Sequence, residues 1–477
     1  MTGEKREKIR AFLKNQVDLA DFRLKGSIYN DKGQKNPGRN VFVKLRKYIN
    51  VYQGGNTSVR WLVMSGLRGV GKTTLLAQLY YETKVEKERK LFLTVDQITQ
   101  ALGVTLRDVL EVYEEIQGGS FEKLEQPVFL FLDEVQYDED WSVLLKTIFD
   151  RSKKVFIVVT GSSALQLQSI TDDARRTVYE KLFPMSFTEY MKIRYDRYES
   201  KGLCNDLRKI FFESNSAREV HNSLFEVQPR VREYWKGLTS EELTNYMHYG
   251  TLPFMVALNN EALVYDQIKK TLDRVVTIDI TQMEQFAPDI LAKIPSVLYA
   301  IADSDKISLN SMSKSLGISR PTLEKILRTL ESTETILRVY PHGSHMVQAR
   351  KESKYLFVSP AFRAMYFNFI GSTHDRENYN GKILEDTVGL YLNRYLFKKI
   401  DVSLTYDSAE GGADFIVRVG KRKVILEVGQ GEKGFRQAEF TLEKVGGQYG
   451  IIASRTELKI NQNENVVSVP LSYFLLF

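Results

Sequence analysis

Within residues 66–73, Gly66, Gly71, Lys72 and Thr73 fall at the spacing G-x-x-x-x-G-K-[ST], in the stretch "WLVMSGLRGVGKTTLLAQLYYE". Glycines so placed let backbone N–H groups wrap a polyphosphate, and a helix starting just after them adds its partial positive charge. Lys72 would reach the β- and γ-phosphates, and Thr73 would offer its hydroxyl to magnesium. The expected ligands are therefore ATP and Mg2+, held by Gly66, Gly69, Val70, Gly71, Lys72, Thr73 and Thr74.

A carboxylate pair stands where such a site needs one. "PVFLFLDEVQ" is an apolar run ending in Asp133 and Glu134. Asp133 is expected to hold the metal through water, and Glu134 to polarise the attacking water. A further run, "KVFIVVTGSSALQL", ends in Thr160, Gly161, Ser162 and Ser163. Ser162 is a candidate for sensing the γ-phosphate, and it would serve equally well as a helix N-cap. Asp96, after "KLFLTV", either faces the same crevice or caps the next helix.

Two more acids lie near the end, in "GADFIVRVGKRKVILEVGQG": Asp414 and Glu427, with Glu385 on an amphipathic segment upstream. Carboxylates from adjacent strands can hold a metal for hydrolysis, but a lysine is needed beside them. Side chains two apart share a strand face, so position 429 would present it, and that residue is glycine. Lys433 lies beyond the strand.

These residues need elements to position them. The apolar runs that precede Gly66, end in Asp133 and end before Gly161 are strand-sized and lack alternation, as expected of a parallel sheet buried on both faces. Residues 191–300 carry no clear two-residue alternation and are expected to be helical. "YMKIRYDRYESK" reads more readily as an amphipathic helix than as a nucleic-acid surface. From Lys306 the pattern becomes helix, turn at Leu316-Gly317-Ile318, then a helix opened by Ser319 and Pro321. That second helix would bury Leu323, Ile326, Leu327 and Leu330 and turn Arg320, Thr322, Lys325 and Arg328 outward. The layout is a winged helix-turn-helix, which either contacts DNA through those four residues or acts as a spacer or dimer surface.

Bulk properties set the frame. A chain of 477 residues is too long for one core and suggests about three domains. Hydrophobic residues at 43% and charged residues at 27% are globular proportions. A net charge of +7 permits an acidic partner without demanding one. Cys204 is alone, so no internal disulfide can form. The first residues show no apolar segment of a secretory signal, and no run approaches membrane-spanning length. A cytoplasmic protein with no membrane partner is expected.

"GLRGVGKTTLL", "LFLDEVQYDEDW", "VVTGSSA" and "DDARRTVYEKLFPMSFTEY" together resemble bacterial and archaeal AAA+-type ATPases with DEVQ-like and TGSS motifs, over about residues 40 to 190. The resemblance implies that an arginine near Arg175 and Arg176 reaches the nucleotide, Arg176 being the candidate. The family's Gly-Arg is Ala-Arg here, and a surface salt bridge is the other reading. "YGTLPFMVAL" resembles the family's Gly-Gly-Phe-Pro element, with Tyr249 for the first glycine. The C-terminal helix and strands resemble the restriction-endonuclease-like (PD-(D/E)xK) fold, and the missing lysine implies a degenerate Glu385, Asp414, Glu427 site.

The expectation is an α/β protein: an N-terminal helical extension (1–38), a P-loop parallel-sheet ATPase core (39–190), a helical lid (191–300), a winged helix (301–370) and a nuclease-like domain (371–477). It would be a Mg-dependent ATP-hydrolysing switch coupled to DNA or to a partner protein, with self-association. A DNA-processing effector with an active nuclease domain, or an ATP-controlled scaffold without DNA, are the alternatives.

Overall fold

The computed structural model describes the chain except residues 31, 162–176, 257, 259, 305, 371–375, 430–433 and 455–456. The chain forms two compact units, Met1–Phe183 and Pro184–Phe477.

The first unit is built on five strands: β1 (Trp61–Ser65), β2 (Lys90–Thr94), β3 (Val128–Asp133), β4 (Val155–Gly161) and β5 (Val178–Lys181). They lie in the order β2-β3-β4-β1-β5, every neighbouring pair parallel. Every residue of β1, β3 and β4 is buried, which accounts for their unbroken apolar runs. The register sets Thr94 beside Asp133 and Ser65 beside Gly161, so the carboxyl ends of four strands deliver their polar residues to one edge.

Helices cover both faces of this sheet. The N-terminal helix α1 (Gly3–Ile28) begins at Thr2, whose side chain accepts from Lys5 N. Its Ile9 and Leu13 share one core with Trp61, Val63, Leu91 and Leu130. Burying two such side chains contributes about 3–6 kcal/mol. The helix Gly3–Ile28, expected within an N-terminal extension, thus contributes side chains to the unit's core. Helix α2 (Asn40–Gln53) buries Leu45, Ile49 and Tyr52, the last packed against the rings of Phe129 and Phe156. Helix α3 (Lys72–Glu82) follows the glycine-rich loop, and α4 (Val95–Ala101) follows β2.

The second unit starts with helices. Between Phe187 and Asp303 no strand occurs among the described residues. The tyrosine-rich helix is shorter than its pattern suggested: it stops at Tyr195, because Asp196 turns left-handed at φ 52. Next comes a helix Leu309–Leu316 capped by Ser308, a left-handed Gly317 at φ 59, and a helix Arg320–Ser332 capped by Ser319. Pro321 is the second helical residue there.

Strands β6 (Ile336–Pro341) and β7 (Lys354–Phe357) form an antiparallel pair joined through a short helix, His345–Arg350. A long helix, Arg376–Leu396, leads to β8 (Val402–Tyr406), β9 (Phe415–Val419), β10 (Arg422–Val428), β11 (Tyr449–Ser454), β12 (Lys459–Ile460) and β13 (Val466–Pro470). All belong to one mixed sheet, β12-β13-β11-β10-β9-β8-β6-β7. The join is parallel pairing of Tyr340 and Pro341 with Thr405 and Tyr406, extended by His342 N donating to Tyr406 O at 2.8 Å. The sequence divides this stretch at residues 300 and 370, whereas the chain packs it as one unit, because that pairing carries backbone hydrogen bonds across the expected boundary.

Candidate active site

The loop between β1 and α3 can be held only by glycine at its first position. Gly66 has φ 152, and a Cβ there would lie 2.3 Å from Leu182 O. Gly69 and Gly71 also have positive φ, at 87 and 93. Gly71 is the residue from which α3 starts. Lys72 is buried and donates from Nζ to Gly66 O at 2.7 Å and Leu67 O at 3.2 Å. Its ammonium thus rests on the loop's own carbonyls, inside the curve that a phosphate would share. Thr73 and Thr74 are exposed.

Arg39, absent from the sequence reading, holds this loop from behind. It is buried and donates to Val70 O at 2.7 Å and to Phe183 O at 2.8 Å. A guanidinium that fixes two backbone carbonyls stiffens the loop at the point where its amides must converge.

Asp133 ends β3 at 1% exposure. Its carboxylate accepts from the hydroxyls of Thr160 and Thr73. Burial first, then the neighbouring Glu134, push its pKa up to about 6, while the two hydroxyls and the charge of Lys72 oppose the shift. A buried acid with raised proton affinity beside Thr73 is chemically suited to a divalent cation, which would replace the proton. Asp133 and Thr73 are therefore the residues that fit magnesium.

Glu134 adopts φ 54, left-handed for a non-glycine residue, at a cost of about 1–3 kcal/mol. Its N–H donates to Thr160 Oγ1 at 3.2 Å, and its side chain accepts from Gln136 Nε2. Thr160 thus ties both acids to the end of β4. Asp96 stands close enough to feel Glu134: burial chiefly raises its pKa, its bond with the Gln97 N–H opposes this, and Glu134 adds to the rise. That bond, from Gln97 N at 2.8 Å, lies within the first turn of α4, whose N-cap is Thr94, so Asp96 does not cap the helix but adds charge near Glu134. Beside Thr73 opens a 470 Å³ cavity, bounded by Thr94 and Gln97 and by Asn15, Gln16 and Arg23 of α1. Nothing in the sequence of α1 signals that it walls this space. Ser162, Arg175 and Arg176 lie outside the described residues.

In the second unit, Glu385, Asp414 and Glu427 do come together, with a partner the sequence reading did not supply. Lys354, the first residue of β7, is buried, pairs with Glu385 and lies 3.2 Å from Asp414 Oδ1. Asp414 Oδ2 accepts from Val428 N at 2.9 Å, and Glu427 Oε2 from Asp414 N at 3.2 Å. Burial raises the pKa of Glu385 to about 7 against the pull of Lys354; the two carboxylates in turn raise that of Lys354 despite its burial. Among the described residues no group of three metal-ligating side chains is placed to hold an ion. Gly429 is paired through its backbone with Ala453 O, and Gln430 and Lys433 lie outside the described residues. Next to this cluster, Arg363 forks onto Asp386 at 2.6 and 2.9 Å, both fully buried.

Of the four outward residues of the helix Arg320–Ser332, Arg320 pairs with Glu324 at 3.0 Å and Arg328 Nε donates to Glu324 O at 3.3 Å. Thr322 is engaged with the capping Ser319. Lys325 is drawn aside to Glu284 at 2.7 Å and lies over the Phe286 ring.

Residues 58–191 match the family described as an AAA domain, and residues 240–371 a domain of unknown function, DUF8612. The uncharacterized protein MJ1637 of Methanocaldococcus jannaschii is 33% identical over 439 residues, covering 91% of this chain and 87% of that protein. MJ1544 of the same organism is 19% identical over 381 residues, covering 77% and 74%. Among solved structures, the Aeropyrum pernix ORC1 protein in complex with DNA is similar at 13% identity and a TM-score of 0.32, over 69% of this chain and 91% of that one. The Thermotoga maritima RuvB Holliday junction branch migration motor matches at 16% identity and 0.32, over 66% and 93%. AMPPCP-bound DnaA from Aquifex aeolicus matches at 15% and 0.27, over 62% and 89%. Likeness this slight does not bear on function. Among the described residues no helix is long and apolar enough to cross a membrane.

Proposed function

The chain belongs to the family of the uncharacterized protein MJ1637 of Methanocaldococcus jannaschii and carries an AAA domain, and on that premise we propose that it binds and hydrolyses ATP as a switch. The observation that carries this reading is Asp133: a buried carboxylate bonded to Thr73 and Thr160 at the mouth of a loop that only glycine can form.

In this reading the amides of residues 66–74 cradle the phosphates, and Lys72 leaves the carbonyls of Gly66 and Leu67 for the β- and γ-phosphates. Thr73 and Asp133 would hold Mg2+, which would supply positive charge to offset that of the phosphates. Glu134, fixed by Gln136 and Thr160, orients the attacking water. Ser162, directly after Gly161, senses the γ-phosphate, and Arg176 contributes positive charge there.

The turnover is coupled to a nucleic acid or a partner through the helix-turn-helix and hairpin of residues 308–357, a winged helix in this reading. The C-terminal module does not cut. This is supported by Lys354, whose single ammonium already serves Glu385 and Asp414, the acids a nuclease would give to its metal.

The test is steady-state phosphate release with Mg2+, with and without duplex or single-stranded DNA, beside a supercoiled plasmid. Magnesium-dependent turnover that DNA changes, with no nicking, is expected. No turnover under any condition contradicts the enzyme reading, indifference to DNA favours the scaffold alternative, and nicking would restore the nuclease alternative.

A further inference from the structure

Opposite faces of β7 do different things. Lys354 points to the carboxylates, while Ser353 and Tyr355 face a cavity of about 450 Å³. That space lies between the helix-turn-helix and the β6–β7 hairpin. Its walls carry Arg320, Arg328, Arg338, Arg350 and Lys351 against two carboxylates, Glu324 and Glu352. Glu324 is taken by Arg320 at 3.0 Å. Glu331, behind the wall, faces Arg338 and Arg328.

Several of these cations have little to do within the fold. Arg350 is exposed and has no partner among the described residues. Arg328 has only the 3.3 Å bond to a backbone oxygen and the more distant Glu331. Arg338 is held rigidly: Nε donates to Ser353 Oγ at 3.0 Å, and its guanidinium lies 4.5 Å above Tyr340 and 5.7 Å from Tyr355. Stacking fixes the plane of the fork while leaving donors for another acceptor. Lys351 donates to Ser408 Oγ at 2.8 Å. Like charges from two helices and a hairpin repel one another, an arrangement that an anion entering the cavity would relieve.

We infer that this cavity is a binding site for phosphate oxyanions, two or more at a time, as found along a nucleic-acid backbone. Four of the five cations are arginines, whose planar forks match phosphate oxygens in pairs. The exposed Tyr340 beside Arg338 offers a ring on which a base can stack. Lys325 takes no part, and Arg338, Arg350 and Lys351, which sequence periodicity did not single out, do.

The inference deepens the nucleic-acid coupling proposed above, yet it is tested without ATP. The full chain is titrated with labelled duplex and single-stranded oligonucleotides, with tripolyphosphate and polyglutamate as competitors. Arg328→Gln/Arg350→Gln should bind at least about tenfold more weakly, with a salt dependence shallower by roughly two counter-ions. A control of equal charge, Lys201→Gln/Lys209→Gln, should bind like the wild type, and both variants should keep basal ATP turnover. Displacement by tripolyphosphate with no oligonucleotide bound would assign the site to a soluble phosphate compound. The inference is overturned if no phosphate ligand binds, if the arginine variant matches the control, or if polyglutamate competes as well as tripolyphosphate. DNA-stimulated turnover surviving in the arginine variant would remove the cavity and leave the coupling standing; binding without stimulation would do the reverse.

Discussion

Lys354 Nζ lies 3.2 Å from Asp414 Oδ1, across 60 residues of chain, and the same ammonium pairs with Glu385. A buried cation therefore sits between two acids that would otherwise face each other. Its removal has a definite consequence, because what remains is two carboxylates without their shared ammonium, Glu385 keeping only the influence of Arg363, which is already forked onto Asp386.

Lys354→Met should destabilise the second unit by about 3–5 kcal/mol near neutral pH. In the wild type the raised lysine pKa contributes stability that is lost only as pH climbs through the folded value. In the variant the sign reverses: Glu385, already near 7 from burial, loses the cation that held it down. The deficit should be largest above pH 8 and shrink as acidification protonates Glu385. Urea unfolding at pH 5.5, 7 and 8.5 measures this, and Lys354→Met/Glu385→Gln should recover part of the loss. An equal deficit at all three pH values would mean that charge is not its cause.

Asp133 gives an opposite pair of trends. Its raised pKa stabilises the nucleotide-free fold below the ordinary aspartate range, and that contribution is lost as pH rises through about 6. Binding of Mg-ATP needs the carboxylate, so affinity should tighten as pH rises from 5 to 7, by up to about tenfold per unit below the pKa. Calorimetry in buffers of different ionisation enthalpy should detect the proton released. Asp133→Asn should bind weakly and without this pH dependence.

Arg39→Met should loosen the phosphate loop without touching a phosphate. It leaves Val70 O and Phe183 O without their donor, at about 1–3 kcal/mol each. A fall in melting temperature together with weaker ATP binding is expected, with Arg39→Lys intermediate because an ammonium lacks the fork. Unchanged nucleotide affinity would show that the loop keeps its shape unaided.

The parts of this protein legible in sequence are those whose chemistry is contiguous. Gly66 to Thr73 declares itself because the phosphate loop is a local fold, and Asp133 because a buried strand must end in the crevice. Arg39 was silent, since its meaning depends on Val70, 31 residues on, and Phe183, 144 residues on. Lys354 was missed for a related reason. Spacing on the strand of Glu427 directs attention to position 429, while the ammonium that pairs with the acids comes from a hairpin that the sequence pattern assigns to another domain. Helical periodicity put Lys325 outward, but it could not foresee Glu284 reaching it.

The central claim is that the loop before Lys72 and the acids after β3 form an ATP-hydrolysing site. Its most direct test is single-turnover hydrolysis by Glu134→Gln, with the affinity for Mg-ATP measured on the same material. The account predicts near wild-type affinity with chemistry slowed by about 10²-fold or more, whereas Lys72→Ala loses binding itself. Hydrolysis by Glu134→Gln at the wild-type rate would contradict it.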